Sequence, residues 1–124
     1  MVESFWAVPD VTDIRTPLSI LREQAAAITE QTKGTLVGVV DAQAGSNGDL
    51  EIQLELSVPS LNGYRYRILA YEQPIELYPG HMRARNESGT INDEKDFIST
   101  IKTILSSGHV RNVLIALLAQ AREA

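Results

Sequence analysis

The residues with the clearest capacity for chemistry are basic and closely spaced. Arg65 and Arg67 are separated by one residue, and His81, Arg83 and Arg85 repeat that spacing in the next segment. A guanidinium presents a planar fork of N–H donors that suits phosphate and carboxylate groups. Alternate residues of a strand face the same side, so two neighbouring strands could combine these side chains into one cationic strip. The spacing therefore predicts a candidate binding site for a small anionic ligand.

Acidic residues give the same arginines a second interpretation. Glu51, Glu55, Glu72 and Glu76 lie in the same or adjoining segments. Opposite charges on neighbouring strands commonly pair, and such pairs are ordinary features of an exposed sheet face. The sequence favours this second interpretation, because each exposed arginine has a plausible glutamate neighbour.

The sequence gives little support to a metal site, a catalytic site or a nucleic-acid interface. The chain has no cysteine, and its two histidines lie in different predicted elements, so we expect no metal site. It contains no glycine-rich phosphate loop and no nucleophile elbow, so we expect no catalytic residue and no cofactor. Bases of nucleic acid stack on aromatic side chains, but of the four tyrosines only Tyr71 is predicted to share a face with Arg67. A net charge of −5 also opposes nucleic-acid binding.

The segment from residue 49 to residue 72 must position the arginines. In "DLEIQLELSV" aliphatic and polar residues alternate strictly, which is typical of a strand with one dry and one wet face. After a loop from Pro59 to Gly63, "YRYRILAYE" continues the pattern. The predicted hairpin sets Val58 opposite Tyr64, Leu56 opposite Tyr66 and Leu54 opposite Ile68 on the inner face. It sets Ser57 opposite Arg65 and Glu55 opposite Arg67 on the outer face.

The remaining elements follow from caps, turns and periodicity. A helix is predicted from Thr16-Pro17 to Lys33-Gly34, since a hydroxyl N-cap, proline at the first position and a closing glycine suit its ends. The other predictions are a strand over Thr35–Gln43, a turn over Ala44–Asp49, a strand over 75–84 interrupted at Pro79-Gly80, a polar loop over 86–91, a helix capped by Asn92, and a last helix over His109–Arg122. The predicted fold class is α+β, with two layers: a four-stranded antiparallel meander, one N-terminal helix and two C-terminal helices.

The sequence contains more apolar residues than the predicted fold can bury. The extended arm of residues 1–15 contains Phe5 and Trp6, and we expect the Trp6 region to lie against the body of the protein or against a partner. The final two helices resemble a helix-turn-helix only in outline, because the second is mostly Val, Leu and Ala. Candidate interface residues are Phe5, Trp6, Leu114, Leu117 and Leu118. We therefore expect a non-enzymatic interaction module that acts through protein–protein contacts and self-associates as a homo-oligomer.

Length and composition agree with this expectation. The 124 residues suit a single domain over 1–124. No segment has the apolar length of a membrane span, and the first residues lack the pattern of a signal peptide, so a cytoplasmic protein is expected.

Four short patterns are similar to those of a known group. "TPLSILREQA", "GYRYRIL", "IELYP" and "VLIALLAQ" together resemble a group of small bacterial proteins of unknown function. The resemblance covers most of the chain and includes no catalytic motif. It implies a bacterial, cytoplasmic origin and transfers no functional residue to this sequence.

Overall fold

A computed structural model describes residues 2–85 and 87–124, and it shows an α+β fold. Within these residues five strands form one antiparallel sheet in the order β1-β2-β3-β4-β5, preceded by one α-helix and followed by two. The elements are α1 (Pro17–Gln31), β1 (Val37–Ala44), β2 (Leu50–Val58), β3 (Tyr64–Gln73), β4 (Gly80–Ala84), β5 (Ser88–Ile91), α2 (Glu94–Leu105) and α3 (Gly108–Glu123). The predicted fold class and helix order are confirmed, and the predicted number of four strands is wrong.

The strand count differs because of two short segments. Residues 75–79, predicted as the start of the fourth strand, form an irregular turn in which Leu77 has a φ of 78° and Ile75 is 88% exposed. Residues 88–91, predicted as loop, pair with β4 as a fifth strand. Ile91 is its only buried residue. A four-residue strand with one inward side chain gives no alternation to detect, and its hairpin partner stabilises it instead.

The core lies between the three helices and one face of the sheet. On β2 the predicted alternation is confirmed, since Ile52, Leu54, Leu56 and Val58 are all buried. Buried residues of the helices complete the core: Ile20, Leu21 and Ala25 of α1, Phe97, Ile101 and Ile104 of α2, and Val110, Leu117 and Ala121 of α3. We call the helix-covered face of the sheet the inner face and the opposite one the outer face.

Helix α1 lies unusually close to β1. A Cβ atom placed on Gly38 would fall against the backbone carbonyl oxygen of Ala25. The backbone N–H of Gly38 donates a hydrogen bond of 2.9 Å to the Thr29 hydroxyl, whose own proton goes to the Ala25 carbonyl at 2.9 Å. The missing side chain and these two hydrogen bonds together hold α1 against the sheet.

The helix ends follow the capping expectations with two corrections. Thr16 caps α1 in a capping box with Ser19, with Pro17 at the first helical position. At the other end Thr32 is the C-cap, so the left-handed C′ position predicted for Gly34 is occupied by Lys33, with a φ of 53°, and Gly34 follows it with a φ of 80°. Helix α2 is capped by Asp93 rather than Asn92, because the Asp93 carboxylate accepts the Asp96 N–H at 2.8 Å. Both residues are good caps by type, so sequence alone placed the start one residue early.

A β-bulge at Ile68 changes which residues of β3 point to the inner face of the sheet. The pairs Val58–Tyr64, Ser57–Arg65, Leu56–Tyr66 and Glu55–Arg67 are confirmed, but Leu54 lies opposite Leu69 rather than Ile68. Because one extra residue reverses the alternation, residues beyond the bulge change faces. Tyr71, predicted to lie beside Arg67, is therefore on the inner face and fully buried.

Three aromatic rings meet at the inner face near this bulge. Phe97 of α2 contacts Tyr71 edge-on, with ring centroids 4.9 Å apart, and lies 6.3 Å from Tyr78. The Tyr71 hydroxyl donates a 2.8 Å hydrogen bond to the Leu77 carbonyl. The Tyr78 hydroxyl is buried and has no hydrogen-bond partner among the described residues. Burial, followed by the negative charge of Glu94, raises the pKa of Tyr78 to about 12.

These tyrosines predict loss of stability at alkaline pH. Burial also raises the pKa of Tyr71. A raised pKa means that the folded state favours the neutral hydroxyl, so this contribution is complete below the ordinary value of 10.0 and is lost as the pH rises through about 12. We expect the melting temperature to fall across this interval, and to fall less in Tyr78→Phe. Tyr64→Phe, which alters an exposed ring, is the matched control, and an equal fall in all three proteins would contradict the prediction.

Candidate functional site

The structure brings four of the five predicted basic residues onto the outer face. Arg65 and Arg67 point outward from β3, and on β4 Arg83 lies opposite Ala70 while His81 lies opposite Glu72. Arg85 follows directly after the end of β4. The two basic sets of the sequence therefore lie side by side, on the face away from the helices.

Two of the arginines are neutralised within the sheet. Arg83 lies 3.0 Å from the Glu72 carboxylate and 3.4 Å from that of Glu51. Arg65 lies 3.4 Å from both Glu55 and Asp41. These pairs involve partly exposed side chains, so each contributes little to stability. Their effect is to cancel local charge, as the second interpretation expected, with Asp41 as an added partner and Glu76 outside the sheet.

The other two arginines adjoin a depression at the end of the β3–β4 pairing. The last β3–β4 pair is Leu69–Ala84, and Arg67 and Arg85 lie beyond it. Together with Arg83 they line a depression of about 360 Å³. Within residues 2–85 and 87–124, neither Arg67 nor Arg85 forms an ion pair. His81 does not line this depression. The three guanidiniums could hold a phosphate or carboxylate group there.

The arm that precedes α1 is the most exposed apolar part of the described chain. Phe5 is 90% exposed and Trp6 is 86% exposed. The Trp6 region therefore does not lie against its own body, which leaves a partner as the other expected location. Near its end the arm turns, because the Thr12 N–H and hydroxyl both donate to the Asp10 carboxylate at 3.0 and 2.9 Å. These two hydrogen bonds lower the pKa of Asp10.

An apolar groove separates α1 from α2 and α3. It consists of two adjoining depressions of about 690 and 200 Å³ that share Gln24 and Leu105 in their walls. The larger lies between α1 and α2, and the smaller reaches down to the inner face of the sheet. Aliphatic side chains dominate the lining, including Ile20, Ile28, Leu54, Ile98, Leu105 and Leu114. We call this feature the α1–α2 groove.

The predicted interface residues of α3 do not form one patch. Leu117 is 6% exposed and belongs to the core, so it offers no surface to a partner. Leu114 lines the α1–α2 groove, whereas Leu118 lines a separate depression with Pro59. Sequence analysis missed the groove, because helical periodicity shows which side chains face the sheet but not how far apart two helices stand.

Comparison with known proteins assigns no relative to this chain. No protein-family model, curated protein or solved structure matches it. The resemblance to small bacterial proteins therefore stays a prediction. Among residues 2–85 and 87–124, none of the helices has the length and apolar character needed to cross a bilayer.

Proposed function

We propose that this protein is a non-enzymatic interaction module that self-associates through its arm. The observation that carries the proposal is the exposure of Phe5 and Trp6, at 90% and 86%. Rings of this size bury roughly 150–250 Å² each when they dock, and they dominate the energetics of protein interfaces. An arm that leaves both in water has a large free energy to gain from a second protein surface.

Light scattering of the intact chain tests the proposal. We expect a mass above the monomer value of 13.6 kDa at micromolar concentration. The double variant Phe5→Ser/Trp6→Ser is expected to weaken association at least about 30-fold, since loss of a central aromatic anchor typically has this effect or more. The matched control is Ile75→Ser, which removes an equally exposed apolar side chain, 88% accessible, from the turn before β4. A monomer at every concentration would contradict the proposal.

A second candidate function is the binding of a small anionic ligand. The observation that favours it is the depression beside Arg67 and Arg85, because neither side chain has a carboxylate partner within the described residues. Arg83 extends toward the same space but shares its charge with Glu72 and Glu51. Such a site would suit a ligand with one phosphate or carboxylate group.

Thermal unfolding in the presence of inorganic phosphate or phosphate-bearing metabolites tests this second function. A ligand present at 100 times its Kd would stabilise the fold by about 2.7 kcal/mol, with a saturable rise in melting temperature. We expect Arg67→Ala and Arg83→Ala to abolish the rise. Arg65→Ala should retain it, because Arg65 lies outside the depression and is already paired with Asp41 and Glu55. An unchanged melting temperature with every ligand would exclude this candidate.

We also propose that the protein is cytoplasmic and of bacterial origin, as the sequence indicates. The absence of cysteine agrees with a reducing compartment, where disulfides do not stabilise proteins.

A further inference from the structure

We propose that the α1–α2 groove binds the Phe5–Trp6 arm of a second copy of this chain. This inference rests on the proposed self-association and adds the surface that receives the arm. The groove and the arm are complementary in chemistry: isoleucine and leucine side chains line the groove, and the arm carries the exposed aromatic rings of Phe5 and Trp6. Aromatic anchors that enter apolar pockets are the usual centres of protein interfaces.

The lining of the groove suits aromatic rings. Ile20 and Ile101 form a buried floor, while Ile98 and Leu105 are half-buried and leave part of their surface in water. A docked ring would cover the exposed parts of Ile98 and Leu105 and would exclude water from the floor. The hydrophobic effect therefore favours occupancy on both sides of the contact.

Charge also matches the arm to the groove. The arm is acidic, with Glu3 two residues before Phe5 and with Asp10 and Asp13 beyond it. The edge of the groove carries Lys102, which is exposed and forms no ion pair among the described residues. Complementary charges at the edge of an interface fix register and speed association.

The point where the arm joins α1 favours exchange between two copies. Arg15, which directly precedes the N-cap of α1, lines the groove, so each arm begins at the mouth of its own groove. If two grooves face each other across a two-fold axis, each arm begins beside the groove of the other copy. Such an arrangement is closed and isologous. The 2.7 Å Arg15–Glu23 ion pair fixes the end of the arm to α1.

The expected contact area agrees with a stable dimer. Four rings from two arms would bury roughly 600–1,000 Å², at about 150–250 Å² each. The groove surfaces that they cover add a smaller area. The total reaches the lower part of the range of about 1,200–2,000 Å² that is typical of specific interfaces.

Mixing two variants tests the inference directly. Trp6 is the only tryptophan, so a Phe5→Ser/Trp6→Ser chain has an intact groove and no tryptophan fluorescence. A Leu105→Glu chain has an intact arm and an acidic charge in the groove. We expect neither to self-associate at the concentration where the unaltered chain does. The mixture retains one of the two arm–groove contacts, so we expect it to form a dimer by light scattering at a higher concentration than the unaltered chain requires. Trp6 emission should then move to shorter wavelength and become protected from a soluble quencher. Circular dichroism of each variant checks that the fold persists.

A charge exchange on exposed residues provides a second test that leaves the core unchanged. Lys102→Glu and Glu3→Lys should each weaken association by about two- to fivefold, as expected for an exposed ion pair. The double variant Glu3→Lys/Lys102→Glu should restore it. Lys95→Glu is the matched control, because Lys95 is an exposed lysine of the same helix that does not line the groove.

The outcomes separate this inference from the proposed function. If the arm variant abolishes association but Leu105→Glu and Lys102→Glu do not, self-association stands and the groove is not the docking surface. If the unaltered chain is always a monomer with an accessible Trp6, both proposals are wrong. If it is a monomer in which Trp6 is protected until Leu105→Glu exposes it, the arm binds its own groove, and exchange between copies is overturned.

Discussion

The variant Phe97→Ala is expected to lower the free energy of unfolding by about 3–5 kcal/mol, the usual range for removing a fully buried aromatic ring. Phe97 is completely inaccessible to solvent and fills the space between α2 and the inner face of β3. Its ring lies edge-on to Tyr71, with centroids 4.9 Å apart, and near Tyr78. Its removal would leave a cavity bordered by rings held in place by their own packing, so the space would collapse only in part.

Urea unfolding at neutral pH measures this effect. The matched control is Ile98→Ala, which shortens the next side chain of the same helix at a half-buried position on the groove edge. Ile98→Ala should cost clearly less, because most of the space it vacates opens to solvent. A Phe97→Ala protein that differs from the unaltered chain by less than about 1 kcal/mol would show that the ring cluster is not the centre of the core.

The second large effect is expected from adding a single methyl group. Gly38→Ala should cost about 1–3 kcal/mol, as overpacking typically does. The new Cβ atom would fall against the Ala25 backbone, which cannot rotate away as a flexible side chain could. Helix α1 would have to retreat from β1, and the hydrogen bond from the Gly38 N–H to Thr29 would lengthen.

A second glycine of the same sheet provides the control. Apart from its two chain neighbours, no heavy atom of the described residues lies within 4 Å of a Cβ atom placed on Gly89 of β5. Gly89→Ala should therefore be neutral or stabilise the fold by about 0.4–1 kcal/mol through the unfolded state. Thermal or urea unfolding of the two variants compares them directly. Equal stability of the two variants would contradict the prediction that Gly38 is needed for the close approach of α1 to β1.

Sequence patterns predicted the parts of the fold in which one physical effect dominates. The nine residues of β2 alternate strictly because one face meets the helices and the other meets water, and the structure confirms that alternation. The N-cap of α1 was predictable because Thr16 and Pro17 suit the first turn of a helix better than most residues. Four of the five predicted β2–β3 pairs follow from the same alternation.

The errors arose where tertiary contacts outweigh local pattern. Ile68 and Leu69 are both buried, and the sequence alone does not show which of two adjacent aliphatic residues faces the helices. Strand β5 depends on pairing with β4 rather than on its own four residues. The turn at Leu77 is held by a hydrogen bond from the Tyr71 hydroxyl to the Leu77 carbonyl. Local propensity does not describe such a contact.

The candidate sites likewise include features that local pattern predicted and features that depend on tertiary contacts. Period-two spacing correctly placed Arg65, Arg67 and Arg83 on one face, and nearby glutamates correctly predicted ion pairs for two of them. The sequence could not show that Arg67 and Arg85 would flank a depression, because both lie beyond the last β3–β4 pair and strand pairing does not fix their separation. The α1–α2 groove depends on the distance between helices, which no periodicity records.

The bulge at Ile68 divides strand β3 into two halves that differ in phase, that is, in whether even-numbered or odd-numbered residues point to the inner face. Before it, even-numbered residues such as Tyr66 face the helices; after it, odd-numbered ones such as Tyr71 do so. Each half can therefore tolerate changes of residue type that preserve its own phase. Loss of Ile68 itself would remove the bulge and leave Leu69 and Tyr71 facing the helices, because Leu69 would then follow Arg67 in regular alternation. Loss of a residue after the bulge, such as Ala70, would instead carry the Tyr71 ring out into water and turn Glu72 toward Phe97.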